Sequence, residues 1–324
     1  MAGTSVVTRQ MWRAARQINP GRVLKESEQP FSLAVVASNL EEADEIRGFL
    51  LGKSWTSEDE KRLDRILRLY LQPLTEKQTD ELAREAVVIL AACGARQGLE
   101  RVSGKVCTYH PEDPAGCMEA ILNSDTGAML RLSLARHIPV LRPEVATRIV
   151  RQVSLENATF AVGTALGNVV PSIFQPIMGV AEAAGDIVFL TANQVRMMFM
   201  IASSYGRAPG YATRWREMST IFGAAFTWRA VARNLVSKIP FGAGLVPKGA
   251  IAYAGTYSVG EGLVFYYTTG HKMSREDAQR AFQSAYSGAV ERVRQMVNRL
   301  QKAQEAPEKA EREEPRTPVG AGTP

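Results

Sequence analysis

From Thr191 to Gly206 the chain reads TANQVRMMFMIASSYG, an apolar run that carries Asn193, Gln194 and Arg196 in its middle. No other stretch restricts the fold so tightly. Placed on a helix, Asp186, Asn193, Arg196, Ser203, Ser204 and Arg207 fall on one stripe roughly 100° wide, and nearly every other side chain is apolar. Such a helix is buried on most sides and keeps one polar seam. As a lone membrane span it fails, because Arg196 interrupts a run that needs about 20 apolar residues. Two settings remain: a core helix of a bundle, or a helix of a membrane-embedded bundle with its seam turned inward. In either setting Arg196 needs a counter-charge, and Asp186 and Glu261 are the candidates.

A second apolar stretch, PFGAGLVPKGAIAYAGTYSVGEGLVFYYTTGHK, starts at Pro240. Ala250, Ala254, Ser258 and Gly262 recur every four residues, as do Ala252, Thr256 and Gly260. Small residues at this spacing let two helices approach closely, a device common among membrane helices. Tyr266 and Tyr267, followed by His271 and Lys272, suit an interfacial end. Glu261 lies between two glycines, where it either caps a following helix or pairs with a buried cation such as Arg196.

Three segments together resemble a known family: Asn193 to Gly206, the KIPFGAG of Lys238 to Gly244, and YAGTYSVGEG followed by YY from Tyr253 to Gly270. Over about Leu155 to Gly270 the chain resembles the YcjF-like family, domain of unknown function 697. The resemblance implies a helical, membrane-associated domain that accompanies Era-like or dynamin-like GTPase modules. It implies no catalytic residues.

Charge points the same way. The chain of 324 residues carries a net charge of +6 and has a pI of about 9.3. Between Ile187 and Gly260 eight Arg and Lys residues face a single acid, Glu217. A basic excess favours anionic partners. Beside apolar helices the natural one is an anionic lipid surface. Tyr205, Tyr211, Trp215 and Trp228 lie among the arginines. No nucleic-acid reader motif accompanies them, so nucleic acid is not an expected partner. Near the N-terminus, VVTRQMWRAARQI reads as a short basic amphipathic helix that docks on its own domain or lies on a membrane. The first thirty residues hold no apolar core of a signal peptide. The three cysteines, Cys93, Cys107 and Cys117, fit a reducing compartment.

Between these regions lies an α/β pattern. FSLAVVAS is a buried-strand run. Asn39 then caps a helix whose first turn holds Glu41, Glu42 and Asp44, and Gly52 closes it. A polar helix is predicted from about Ser57 to Leu71 on the spacing of Leu63, Ile66, Leu67 and Tyr70. AVVILAACG and KVCTYHPED read as further strands. A small α/β layer with a partly parallel sheet follows from this alternation. After about Met129 the strand signals stop, and Pro139 and Pro143 punctuate helices.

A GTPase would place G-x-x-x-x-G-K-[ST] directly after the first strand. That position holds NLEEADEI, with no glycine, no lysine and four acids. GFLLGKS, Gly48 to Ser54, is one residue short between its glycines and ends a helix instead of starting one. No N-K-x-D is present for guanine. The layer is therefore expected to be a degenerate, nucleotide-free relative of a GTPase domain. Cys107, His110, Cys117 and Cys93 lack the tight pairing of a zinc site. No catalytic residue, cofactor or metal is expected.

The expected organisation is a basic amphipathic helix in 1–30 and an α/β module in 31–128. A helical, YcjF-like, membrane-associated domain fills 129–272, an amphipathic helix opened by a Ser274–Asp277 capping box fills 273–304, and the tail 305–324 is disordered. The fold class is α/β plus a mainly helical, apolar bundle. The expected function is a non-catalytic scaffold or regulator at the cytoplasmic face of the cell membrane, or in the cytoplasm. Its partners are an anionic membrane surface, a GTPase or other protein, or a second copy of itself. The competing reading is a soluble enzyme or small-ligand binder whose site is the seam of Asp186, Asn193, Arg196, Ser203 and Glu261.

Overall fold

The computed structural model describes residues 12–13, 15–165, 186–214, 216–219 and 244–313. Ten helices of eight or more residues and four strands make up its regular structure among the described residues. The N-terminal part alternates as α1 (Pro20–Ser27), β1 (Leu33–Ala37), α2 (Leu40–Leu51), α3 (Ser57–Ile66), β2 (Leu67–Leu71), α4 (Glu76–Glu85), β3 (Val88–Ala92), β4 (Val106–Tyr109) and α5 (Pro114–Asn123). Helices follow without further strands: α6 (Asp125–His137), α7 (Arg142–Ala165), α8 (Asp186–Ser204), α9 (Leu245–Thr269) and α10 (Arg275–Glu313). The mixed α/β and helical class expected from the sequence is thus present.

The sheet is parallel throughout, in the order β2-β1-β3-β4. Its central strands, LAVVA and VILAA, are buried at every residue, whereas the edge strands alternate or open to solvent. A parallel sheet covered on both faces requires such continuous apolar runs at its centre. Asn39 caps α2 by accepting from the Glu42 amide at 2.9 Å, and Gly52 ends the helix at φ +70°, as the sequence predicted. Thr56 and Asp59 form a capping box that starts α3.

Two elements differ from expectation. The predicted helix over 57–71 stops at Ile66, and Leu67–Leu71 forms edge strand β2. The helical spacing of Leu63, Ile66 and Leu67 runs across the junction, and no glycine or proline marks it. The period-2 pattern of LRLYL is the signal that distinguishes the strand. Helix α4, opened by a Thr75–Gln78 capping box, completes the crossover between β2 and β3. Helix α6 runs through residue 128, the expected end of the α/β module. Helix α10 reaches Glu313, inside the stretch expected to be disordered; residues 314–324 lie outside the described residues.

Helix α9 packs against α7, α8 and α10. At Gly260 an added Cβ would lie 2.5 Å and 2.6 Å from the two methyls of Val150 on α7. At Gly249 it would meet Val293 of α10 at 2.6 Å and Val162 of α7 at 2.8 Å. Gly262, on the other small-residue stripe, has no atom within 4 Å of such a Cβ. The close approach therefore runs along the Gly260 side of the helix. Gly260→Ala should cost about 1–3 kcal/mol, because a valine fixed at χ1 cannot yield both methyls. Gly262→Ala should instead gain helix propensity, about 0.5–1 kcal/mol. Thermal melts of the two variants check this; equal shifts would contradict the close contact.

Among the described residues no helix is long and apolar enough to cross a membrane. The N-terminal amphipathic segment is described only in part. There, Ala15 and Ile18 are buried in the core and both carbonyls accept from the Tyr211 hydroxyl, Ala15 at 2.6 Å. This end docks on its own chain.

Candidate functional site

The seam residues on α8 meet α7 and α9. Arg196 forms an ion pair with Glu156 of α7, and its Nε donates to Asn193 Oδ1 at 2.9 Å. Asn193 Nδ2 donates to Asn157 Oδ1 at 2.8 Å, and Asn157 Nδ2 donates to Thr256 Oγ1 of α9 at 2.7 Å. Gln194 Nε2 reaches the same threonine oxygen at 3.3 Å. Three helices are thereby tied by one polar chain in an otherwise apolar bundle. Each member makes at least one of these bonds, but the Gln194 side-chain oxygen is buried without a partner, so the network is not fully satisfied.

Of the expected counter-charges, Glu261 does not pair with Arg196. Arg196 pairs with Glu156, which lies on the facing helix within reach, whereas Glu261 lies against Tyr257 with Arg151 nearby. Burial first, then the Glu261 carboxylate, push the Tyr257 phenol up. The side chain of Asp186 lies outside the described residues. Ser203 is buried, but its hydroxyl takes no part in the network and has no hydrogen-bond partner. The seam thus brings together Asn193 and Arg196 and leaves Ser203 and Glu261 apart. Glu156 is not legible as the partner from sequence, because it lies 40 positions from Arg196 and outside the apolar segment that holds Arg196.

A second polar cluster joins the two halves of the chain. Arg142, at the start of α7, grips Asp59 of α3 in a fork, with Nη2 to Oδ1 at 2.5 Å and Nη1 to Oδ2 at 3.1 Å. Both side chains are below a tenth exposed. Thr56 donates to Asp59 through its amide and its hydroxyl, and Arg62 Nη1 adds a contact at 3.2 Å. Arg142 also donates to the carbonyls of Ala135 and Arg136. Burial pushes the Asp59 carboxyl up, but the Arg142 hydrogen bonds and charge, with Thr56, outweigh it and hold the group below its usual range.

This pair floors a cleft of about 920 Å³. One wall is the end of α2 and the loop Lys53–Thr56; another is the start of α5 after β4. The bundle contributes the turn at Pro139–Pro143, the end of α8 at Tyr205–Arg207, and Tyr267 and Thr268 of α9. GFLLGKS therefore lies at a helix C-terminus, as its sequence position indicated, with Lys53 and Ser54 on the cleft wall.

In an open parallel sheet the ligand crevice lies where the strand order reverses, here beyond β1 and β3. The two loops approach there: an added Cβ on Gly94 would be 3.9 Å from Ser38 Oγ. At this point Glu42 Oε2 accepts from the Ser38 amide at 2.8 Å. The amide and helix end that could hold a phosphate are thus already faced by the chain's own carboxylate. Of the cysteines, Cys107 and Cys117 are buried, and burial pushes both thiols up, Cys117 to about 12. Cys93, expected on a buried strand, is exposed because β3 ends at Ala92. Among the described residues no three His, Cys, Asp or Glu side chains gather as metal ligands would.

The fold and its polar clusters define a mixed α/β and helical-bundle protein in which a buried carboxylate, Asp59, is held in a structural ion pair. No protein-family model matches the chain, nor does any curated protein or solved structure.

Proposed function

We propose that this protein is a non-catalytic scaffold or regulator that works at the cytoplasmic face of a membrane. In this reading its sheet module is a degenerate relative of a GTPase domain, and its bundle is a YcjF-like domain. The observation that carries the first part is Glu42, whose carboxylate sits on the Ser38 amide where a phosphate would have to bind. A second anion there would be repelled by Glu41 and Glu42 in the first turn of α2. The basic excess between Ile187 and Gly260 supports attraction to anionic lipid. Arg229, Arg233 and Lys238 of that segment lie outside the described residues. Association through such charges is peripheral and salt-sensitive. A GTPase, another protein or a second copy would be recruited there.

Two measurements test this reading separately. Calorimetric titration with GTP and magnesium should give no binding heat; micromolar binding would remove the degenerate-GTPase part. Sedimentation with vesicles should show the protein pelleting with anionic lipid, not with neutral lipid, and released by raised salt. A protein that stays in the supernatant with anionic vesicles at low salt would remove the membrane part.

A further inference from the structure

We propose that the cleft between the sheet module and the bundle binds a phosphomonoester carried on a single alkyl chain. The proposal does not rest on the membrane reading, since it concerns a site of defined volume and not the basic surface. At about 920 Å³ the cleft is within the range of small-molecule pockets, about 300–1,000 Å³, which are mostly apolar with a few placed polar groups.

Its charges are unequal. Lys53, Arg62, Arg142 and Arg207 line it against Glu58 and Asp59, which leaves two positive charges in excess. Arg142 is consumed by Asp59, whereas Lys53 and Arg207 are exposed and have no ion-pair partner among the described residues. Gly206 brings Arg62 next to Arg207: a Cβ there would lie 2.4 Å from Arg62 Nη1, so only glycine lets the guanidinium lie against this backbone. Its φ of +72° demands glycine as well. A phosphomonoester carries about −1.5 to −2 charge at pH 7 and three strong acceptor oxygens, which matches this excess. Guanidinium groups recognise such oxygens in a fork.

Much of the remaining lining is apolar, with Phe49, Met118, Val140 and the prolines of the turns, beside the hydroxyls of Ser54, Thr56, Thr268 and three tyrosines. Trp55 stands at the same cleft with 46% of its surface exposed. An aromatic of this size gains from being covered by an apolar body. A nucleotide is a poorer occupant, because its base and sugar need hydrogen-bonding partners. Thr56 already bonds Asp59 and Thr268 already bonds Tyr205. An alkyl chain asks for none.

The test is titration of the full chain with dodecyl phosphate below its micelle concentration, followed by calorimetry and tryptophan fluorescence. Saturable one-to-one binding is expected, with a fluorescence change that is lost in Trp55→Phe. Dodecyltrimethylammonium, inorganic phosphate and adenosine 5′-monophosphate should each bind at least tenfold more weakly. The double variant Lys53→Gln/Arg207→Gln should weaken dodecyl phosphate at least tenfold with an unchanged melting temperature, both residues being exposed. Unaltered binding by that variant, equal binding of the cationic amphiphile, or tighter binding of the nucleotide would overturn the proposal. Vesicles containing phosphatidate separate the sources of the ligand. Competition by dodecyl phosphate assigns the site to a bilayer lipid; pelleting unaffected by it assigns the site to a free phosphomonoester. Absence of any vesicle binding, with dodecyl phosphate still bound, would count against the membrane reading alone.

Discussion

Arg142→Leu is expected to cost the fold about 3–5 kcal/mol, the usual consequence of leaving one partner of a buried ion pair without the other. Asp59 would keep Thr56 and Arg62 but lose both arms of the fork, while staying at a site that is nearly closed to solvent. Asp59→Asn should be nearly as harmful, because Arg142 would then be the stranded charge. Chemical denaturation at neutral pH measures both. A loss below 1 kcal/mol in Arg142→Leu would mean that the pair is not buried as described. The same pair sets an acid limit. Its carboxyl is held below the usual range in the folded state, so the stabilisation is fully present above about pH 4, the unfolded value. It is lost as pH falls through the lower, folded value. In Arg142→Leu that part of the acid dependence should vanish.

Arg196→Leu is expected to cost about 1–3 kcal/mol, less than the buried limit because the two side chains keep 27% and 18% of their exposure. Glu156→Gln should lose a comparable amount, and the double variant should recover part of it, as coupled neighbours do. Glu261→Gln should leave stability close to that of the parent, since Glu261 faces Tyr257 instead. The cycle therefore separates the observed partner from the one suggested by sequence. Coupling of Arg196 to Glu261 and not to Glu156 would overturn the assignment.

What the sequence made legible was local. The two central strands, the Asn39 cap, the Gly52 stop and the Ser274–Asp277 cap, where Ser274 and Asp277 bond at 2.7 Å, all follow from neighbours a few residues apart. So did the need of Arg196 for a partner. Strand β2 was hidden because its apolar residues continue the phase of α3, and an edge strand needs only one covered face. The pairs Arg142–Asp59 and Arg196–Glu156 join residues 83 and 40 positions apart. One sequence records that each charge exists, not which distant charge folding sets against it. The cleft was hidden for the same reason: Lys53 and Trp55 share one loop, and Arg207 comes from a turn far along the chain that only packing brings beside it.

The core that begins in the sheet does not end there. Leu33 and Ile89 belong to the same continuous apolar cluster as Val145, Phe199 and Leu263 of the bundle. The Ser133 hydroxyl on α6 bonds the Gln29 carbonyl ahead of β1, and Arg142 reaches across to Asp59. Neither half is therefore a transplantable module. Cutting the chain near residue 128 would sever α6 and expose to water the faces that each half lends the other. Two building patterns that look separable along the sequence act as one cooperative body, and a ligand held at their junction would brace both at once.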